Sequence, residues 1–372
     1  MSNRLRIRAE HDLIDRMKGL SMTTHDLPST PLDVFRNGTV IPAHVLALTE
    51  QLQIDERRQR ALTRYYLDAG VGGLAVGVHT TQFGIRAAGM YADVLGLASE
   101  TAREWTDRPL ALIAGVTGDT PQAVAEAETA TGLGYTAALL NVAAWKGRDE
   151  ADILSHVRTV AEVMPVVGFA LLPQVGGFHL SSAFWREFAG IPQVIGIKMA
   201  PFDRYRTLDI VRGVVDAHAE ERITLYTGND DHIVLDLLQP FRIPRDGEQV
   251  TVRVRGGLLG HWSVWTRRAV EQFERIRALP DDAPVPVELL ALDSAVTDAN
   301  GAIYDARNDF AGCIPGCHEV LRRQGLFAGT WCLDPAETLS PGQLEEIDRV
   351  IRAHPDLADD EFVAAGLERW LA

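Results

Sequence analysis

The chain has 372 residues, of which 46% are hydrophobic and 23% charged, the make-up of a globular protein with a sizeable core and not of a disordered chain. Its net charge of −15 argues against nucleic acid and against an anionic membrane surface as partners, because both are bound through basic protein surfaces. No run of 18 apolar residues is present, and Met1 to Leu20 is rich in Arg, Asp and Glu with no signal-peptide core, so the cytoplasm is the expected compartment.

Residues 1–35 read as a polar arm, with a short helix near Asp12 to Gly19 and a Thr/Pro-rich connector from Ser21 to Pro31. From Gly38 onward, short apolar runs alternate with longer amphipathic stretches, the pattern of repeated βα units. Eight strands are expected at Val40 to Leu48, Gly73 to Thr80, Leu110 to Val116, Thr136 to Asn141, Val166 to Leu172, Val194 to Met199, Ile223 to Thr227 and Val252 to Gly260. Between them, Asp55 to Ala69, Thr120 to Leu133, Glu150 to Val163, Ser182 to Ala189, Arg206 to Ala219 and Trp265 to Leu279 carry apolar residues at three- and four-residue spacing. Eight alternations predict an α/β fold, a (β/α)8 barrel over residues 36–280. The competing open, doubly wound sheet lacks its usual glycine-rich first turn, since no GxGxxG follows an early strand.

Pro240 to Gly247, together with Val250 to Arg255, is expected to form a small inserted hairpin. Beyond Ala283 the strands stop, and residues 281–372 read as a helical appendage with segments at Thr297 to Arg323, Ser340 to His354 and Asp360 to Leu371. Ser340-Pro341 looks like the start of one of these helices, with proline at its first position. The three cysteines, Cys313, Cys317 and Cys332, are odd in number and without zinc-site spacing, so reduced thiols are expected.

The basic residues carry the first chemical signal. Of 36, only Lys18, Lys146 and Lys198 are lysines, and Lys198 sits inside the apolar run Val194 to Pro201. A buried ammonium loses proton affinity, which yields the neutral amine that attacks a carbonyl to form a Schiff base. The alternative is a strand-end lysine that reaches solvent or pairs with a carboxylate. In a βα barrel the reactive groups project from the C-terminal strand ends. There the second strand ends in His79-Thr80-Thr81, whose hydroxyls and backbone N–H groups suit a carboxylate, or which simply finish a strand with β-branched residues. The seventh runs into Gly228-Asn229-Asp230-Asp231, a turn able to contact substrate hydroxyls, with Asp231 more suited to capping the next helix.

Arg60-Ala61-Leu62 through Tyr66-Leu67-Asp68-Ala69-Gly70, then Thr80-Thr81, then Gly196-Ile197-Lys198 resemble the dihydrodipicolinate synthase and N-acetylneuraminate lyase family of class I aldolases. The resemblance covers about residues 38–350. It implies a (β/α)8 barrel with C-terminal helices, usually tetrameric, in which the lysine at the position of Lys198 condenses with pyruvate or another 2-oxo acid and the Thr80-Thr81 segment holds the keto-acid carboxylate. No cofactor is implied.

The chain departs from the family pattern at several points. The fifth-strand segment Tyr-Asn-x-Pro is here Ala170-Leu171-Leu172-Pro173, which places Ala170 where the proton-relaying hydroxyl belongs. The tyrosine pair after the fourth strand is replaced by Ala144 and Trp145, the carboxylate-binding arginine by about Val175, and the Gly-Glu after the threonines by Gln82-Phe83. These losses argue against dihydrodipicolinate synthase proper. His79 is the leading substitute proton carrier, with Tyr226 and His261 behind it. Trp145, Phe83 and Trp262 are candidates for narrowing the pocket.

The expected function is a Schiff-base lyase acting on a 2-oxo acid or sugar acid, with Lys198 as nucleophile, His79 as proton carrier and Thr80, Thr81, Gly228, Asn229 and Asp230 around the substrate, in a homo-oligomer. Two other readings stand beside it. His44, His79, Asp230, His232 and His261 lie on neighbouring strand ends and suit a divalent cation, without the spacing of a known metal motif. A protein that binds a keto acid without turning it over would also tolerate the missing tyrosine.

Overall fold

The computed structural model describes residues 29–372. Ten strands occur in chain order: β1 (Val40–Pro42), β2 (Gly73–Val76), β3 (Ala111–Val116), β4 (Ala137–Leu140), β5 (Val166–Leu171), β6 (Val194–Ala200), β7 (Thr224–Thr227), β8 (Pro240–Arg245), β9 (Glu248–Arg253) and β10 (Gly256–Leu259). All but β8 and β9 form one parallel sheet in the order β1-β10-β7-β6-β5-β4-β3-β2, and a parallel bridge between Ala43 and Ala75 joins its ends into a barrel. Nearly every barrel-strand residue is buried, as expected where helices cover one side and the barrel core the other.

The helices of the barrel are α1 (Pro31–Asn37), α2 (Glu56–Ala69), α3 (Tyr91–Trp105), α4 (Thr120–Gly132), α5 (Glu150–Ala161), α6 (Ser182–Ala189), α7 (Arg204–Asp216), α8 (Ile233–Leu238) and α9 (Thr266–Arg277). Asp55, Asp119 and Ser181 cap α2, α4 and α6 by accepting backbone N–H groups at the third helical residue. The sequence reading did not single out α3. It also placed Val34 and Phe35 in an arm, whereas a capping box between Thr30 and Asp33 opens α1 here and drives Phe35 into the barrel floor. Phe35 stacks on Tyr226 at 4.7 Å, and the Tyr226 hydroxyl donates to its carbonyl at 2.7 Å. The helix expected at Asp12–Gly19 lies outside the described residues.

The expected hairpin forms from β8 and β9, with Asp246 and Gly247 both at positive φ in its two-residue turn. It takes in Val252 and Arg253, so the eighth barrel strand begins only at Gly256 and not at Val252.

Four more helices follow: α10 (Val287–Ile303), α11 (Cys313–Arg323), α12 (Gln343–Ala353) and α13 (Asp360–Leu371). Pro341 is not the first residue of α12, because the chain turns through Gly342 at φ 84° and the helix starts at Gln343, whose side chain accepts the Ser340 N–H at 3.0 Å. The C-terminal helices dock on the barrel by buried polar contacts. The Tyr65 hydroxyl of α2 donates to Asp359 at 2.7 Å, and Trp370 Nε1 of α13 donates to Asp68 at 2.6 Å. Leu235 N–H of α8 donates to Asp293 of α10 at 3.1 Å, which lays α10 beside the seventh βα unit. The α10–α11 connection thereby reaches the C-terminal mouth of the barrel.

Candidate active site

The facing of β6 decides whether Lys198 can react. Val166 pairs with Val194, but the next residue Val167 pairs with Gly196, so Ile195 is an extra residue in the ladder. Ile195 packs in the barrel's inner cluster, and Gly196 beside it abuts Phe35, while Val194, Ile197 and Met199 pack in the outer layer against helices. After this irregularity the alternation continues with Lys198 and Ala200 inward.

Lys198 is 8% exposed, and burial brings its pKa from 10.5 down to about 8 against the opposing pull of Asp230. Its Nζ stands 4.3 Å from the centre of the Phe169 ring, its neighbour in the ladder. Two close approaches make room for the side chain. A Cβ on Gly228 would lie 2.6 Å from Lys198 Cε and 2.9 Å from the Ala200 Cβ, so only glycine leaves the lysine stem in place.

Lys198 opens into a cavity at the barrel mouth that also receives His79, Thr80, Gly228 and Asp230. Thr81 and Asn229 do not line it. The Thr81 hydroxyl donates to the His44 carbonyl at 2.6 Å and accepts the Gly77 N–H at 3.0 Å, while the Thr80 hydroxyl donates to the Ala43 carbonyl at 2.9 Å. Both hydroxyls therefore tie the second strand end to the first where the barrel closes. Asn229 is likewise structural: its Nδ2 donates to Asp236 at 2.9 Å and its Oδ1 accepts the Phe202 N–H at 3.1 Å. Asp231 does not cap α8, whose N-cap is His232 without a side-chain bond.

Asp230 is buried, with one carboxylate oxygen accepting the His261 N–H at 3.0 Å. Burial raises its pKa to about 6 in spite of that bond and of Lys198. The His79 imidazole is held down to about 4, first by burial and then by Lys198, and so is neutral at physiological pH.

The imidazoles proposed for a metal do not converge. His44 is fully buried, its Nε2 bonded to Thr63 Oγ1 at 2.8 Å and its Nδ1 within 2.9 Å of Gln59 Nε2. His261 points away from the lysine cavity into a cleft beside Trp262, and His232 pairs with Asp293 at 3.8 Å. Among the described residues, no three His, Cys, Asp or Glu side chains come together as a metal site. Tyr226 is spent on the barrel floor, and Trp145, Phe83 and Trp262 line no part of the cavity.

The aromatic lining comes instead from residues the sequence reading missed: Phe169, Phe202, Tyr304 and Phe310. Alternation along β5 explains the first. Ala170 packs in the outer layer and Phe169 and Leu171 in the inner one, so the inward residues beside Lys198 carry no hydroxyl, and Ala170 is not the relay position that proline alignment suggested. Tyr304 and Phe310 come from the C-terminal region, where helical periodicity gives no hint of a barrel partner. The Tyr304 phenol lies over Gly260, where a Cβ would come within 1.6 Å of it, and its hydroxyl has no hydrogen-bond partner among the described residues. Phe202 and Phe310 occupy left-handed backbone positions, φ 50° and 66°, which cost a side-chain-bearing residue roughly 1–2 kcal/mol each. Val175 lines the cavity, and no arginine among the described residues does.

Comparison with known proteins gives a consistent family. The sequence profile described as the dihydrodipicolinate synthetase family matches residues 36–240. No curated protein sequence matches. Among solved structures, N-acetylneuraminate lyase from Fusobacterium nucleatum complexed with pyruvate superposes with a TM-score of 0.66 at 20% identity, covering 86% of this chain and 97% of that one. Dihydrodipicolinate synthase from Acinetobacter baumannii complexed with pyruvate gives 0.70 at 17% identity over 86% and 98%. A prophage protein of the dihydrodipicolinic acid synthase family from E. coli K12, also in complex with pyruvate, gives 0.67 at 19% over 85% and 98%. At these identities the likeness is one of fold.

Proposed function

This chain belongs to the dihydrodipicolinate synthetase family and at that level is an aldolase-type lyase; we propose that it works through an imine between Lys198 and a 2-oxo acid. The observation that carries the proposal is the amine itself, buried, lowered to about 8, turned into the barrel and open to a cavity. At pH 7 roughly a tenth of such a group is the free nucleophile, against well under a thousandth of an ordinary lysine.

In this reading the free amine adds to the keto carbon and water leaves, giving an iminium whose positive charge is delocalised toward the adjacent C3–H bond. Asp230 takes the C3 proton to form the enamine, its carboxyl at about 6 being matched to proton transfer near neutrality. His79, neutral at that pH, offers a ring N–H to the keto oxygen as the carbinolamine collapses. Thr80 presents its backbone N–H, which donates to no group among the described residues, to the substrate carboxylate. Thr81 supports that segment from behind. Val175 at the arginine's expected place leaves the carboxylate to such backbone donors, and this separates the chain from dihydrodipicolinate synthase proper.

The three thiols are buried and unpaired, which suits a cytoplasmic enzyme, and exposed Val285, Val287 and Leu290 at the start of α10 suit a homo-oligomer contact. Borohydride reduction in the presence of pyruvate should fix the adduct mass on the peptide containing Lys198. Absence of that adduct, with the protein folded, would reject the reading. An adduct without turnover of any partner aldehyde would make the chain a keto-acid-binding protein.

A further inference from the structure

The cavity around Lys198 is furnished for something other than a polyol. A sugar acid brings three or more hydroxyls, each needing a donor or acceptor once water is excluded. Here the polar groups facing the lysine are few, and the mechanism above already engages His79, Thr80 and Asp230. Beside the Tyr304 phenol and the Cys313 thiol, the remaining walls are largely hydrocarbon, among them Leu171, Leu172, Val175, Phe169, Phe202 and Phe310.

Two of these rings are held at an energetic disadvantage. Phe202, after β6, and Phe310, between α10 and α11, both sit in the left-handed region, and both remain partly exposed at the mouth. They meet edge to face, with ring centres 5.7 Å apart. An ordinary core contact needs neither the unfavourable backbone nor the exposure, and side chains kept in such conformations by their surroundings cluster at ligand clamps and active sites. The two residues are 108 positions apart in the chain, so the pair exists only because the C-terminal region folds over the barrel mouth.

We propose that Phe202 and Phe310 form an aromatic clamp over Lys198 that selects an apolar, planar aldehyde, of the benzaldehyde class, as the second substrate. The proposal rests on the imine reading and adds the identity of the carbon acceptor. The enamine C3 bonds to the aldehyde carbon, the C=O pair of electrons moves onto oxygen, and that oxygen takes up the proton earlier removed from C3. Water then hydrolyses the iminium, which frees the lysine amine and a 4-hydroxy-2-oxo acid. The reverse sequence cleaves the same bond. Nothing is oxidised or reduced.

The test uses the full chain with pyruvate and either benzaldehyde or glyceraldehyde, with product followed by mass spectrometry and NMR. The expected result is a kcat/KM for benzaldehyde at least tenfold above that for glyceraldehyde. Phe310→Asn should reduce that ratio tenfold or more, with borohydride trapping of pyruvate on Lys198 still detected in the variant. Asparagine is chosen because it tolerates the left-handed backbone, so the ring is removed without added strain. Phe202→Asn provides an independent second variant, and melting temperatures report whether each folds. Equal or greater use of glyceraldehyde, no reaction of benzaldehyde, or an unchanged ratio in both folded variants would overturn the clamp and leave the imine chemistry standing. Failure of the wild type to trap pyruvate would remove both.

Discussion

Replacing the reactive lysine should make the protein more stable. Each tenfold change in proton affinity corresponds to about 1.4 kcal/mol, so a lysine lowered from 10.5 to about 8 holds its charge in the folded state at a penalty of about 3 kcal/mol at pH 7. Lys198→Met keeps the length of the stem, fits the same channel past Gly228 and carries no charge. It should therefore gain about 3 kcal/mol while losing imine formation entirely. The pH dependence gives the sign. The unfolded chain keeps the lysine proton up to about 10.5 and the folded chain releases it at about 8, so between these values the unfolded state binds more protons and wild-type stability rises with pH. The advantage of the variant should accordingly be full below pH 8 and fade toward pH 10. Urea denaturation of both proteins at pH 7, 8.5 and 10 measures it. A variant no more stable than wild type at pH 7, with a difference that does not change with pH, would mean that the ammonium is solvated and the physical basis of the proposed catalysis is absent.

Three further outcomes follow from the same geometry. The rate of borohydride-trapped imine formation should climb with pH and level off above about 8, because only the neutral amine attacks; a midpoint near 10.5 would contradict the burial argument. Gly228→Ala should cut that rate about 100-fold, since its methyl would stand 2.6 Å from Lys198 Cε where about 3.5–4 Å is required, and trapping at the wild-type rate would show that the lysine does not lie where it is placed here. Thr81→Val should lower stability by about 1–3 kcal/mol in urea denaturation by leaving the His44 carbonyl and the Gly77 N–H without partners at the barrel closure, and a loss below about 0.5 kcal/mol would remove that hydroxyl from the closure.

The sequence reached the barrel because each βα unit advertises itself locally, through an apolar run, a capped amphipathic helix and polar residues at the strand end. It failed where a boundary depends on a partner. Val252 and Arg253 are apolar-alternating residues whether they pair in a hairpin or in the barrel, and only the ladder with Phe241 and Pro240 assigns them. Phe35 reads as an arm residue because nothing nearby in sequence reveals the open barrel floor it fills. The hydroxyls of Thr80 and Thr81 likewise could not be apportioned between substrate and backbone before the first strand was seen beside them.

The sequence alone determined that one lysine stands in an apolar strand of a (β/α)8 protein, since a chain in which 33 of 36 basic residues are arginine has little reason to place a primary amine there. Whether that amine reacts was a tertiary matter. The extra residue at Ile195 resets the alternation of β6 and determines which way Lys198 faces, because a one-residue change of register exchanges the two faces of a strand. The long-range packing of the C-terminal region then brought Tyr304 and Phe310 into the lining of its cavity, an arrangement that spans more than 100 residues and leaves no periodic trace in the chain.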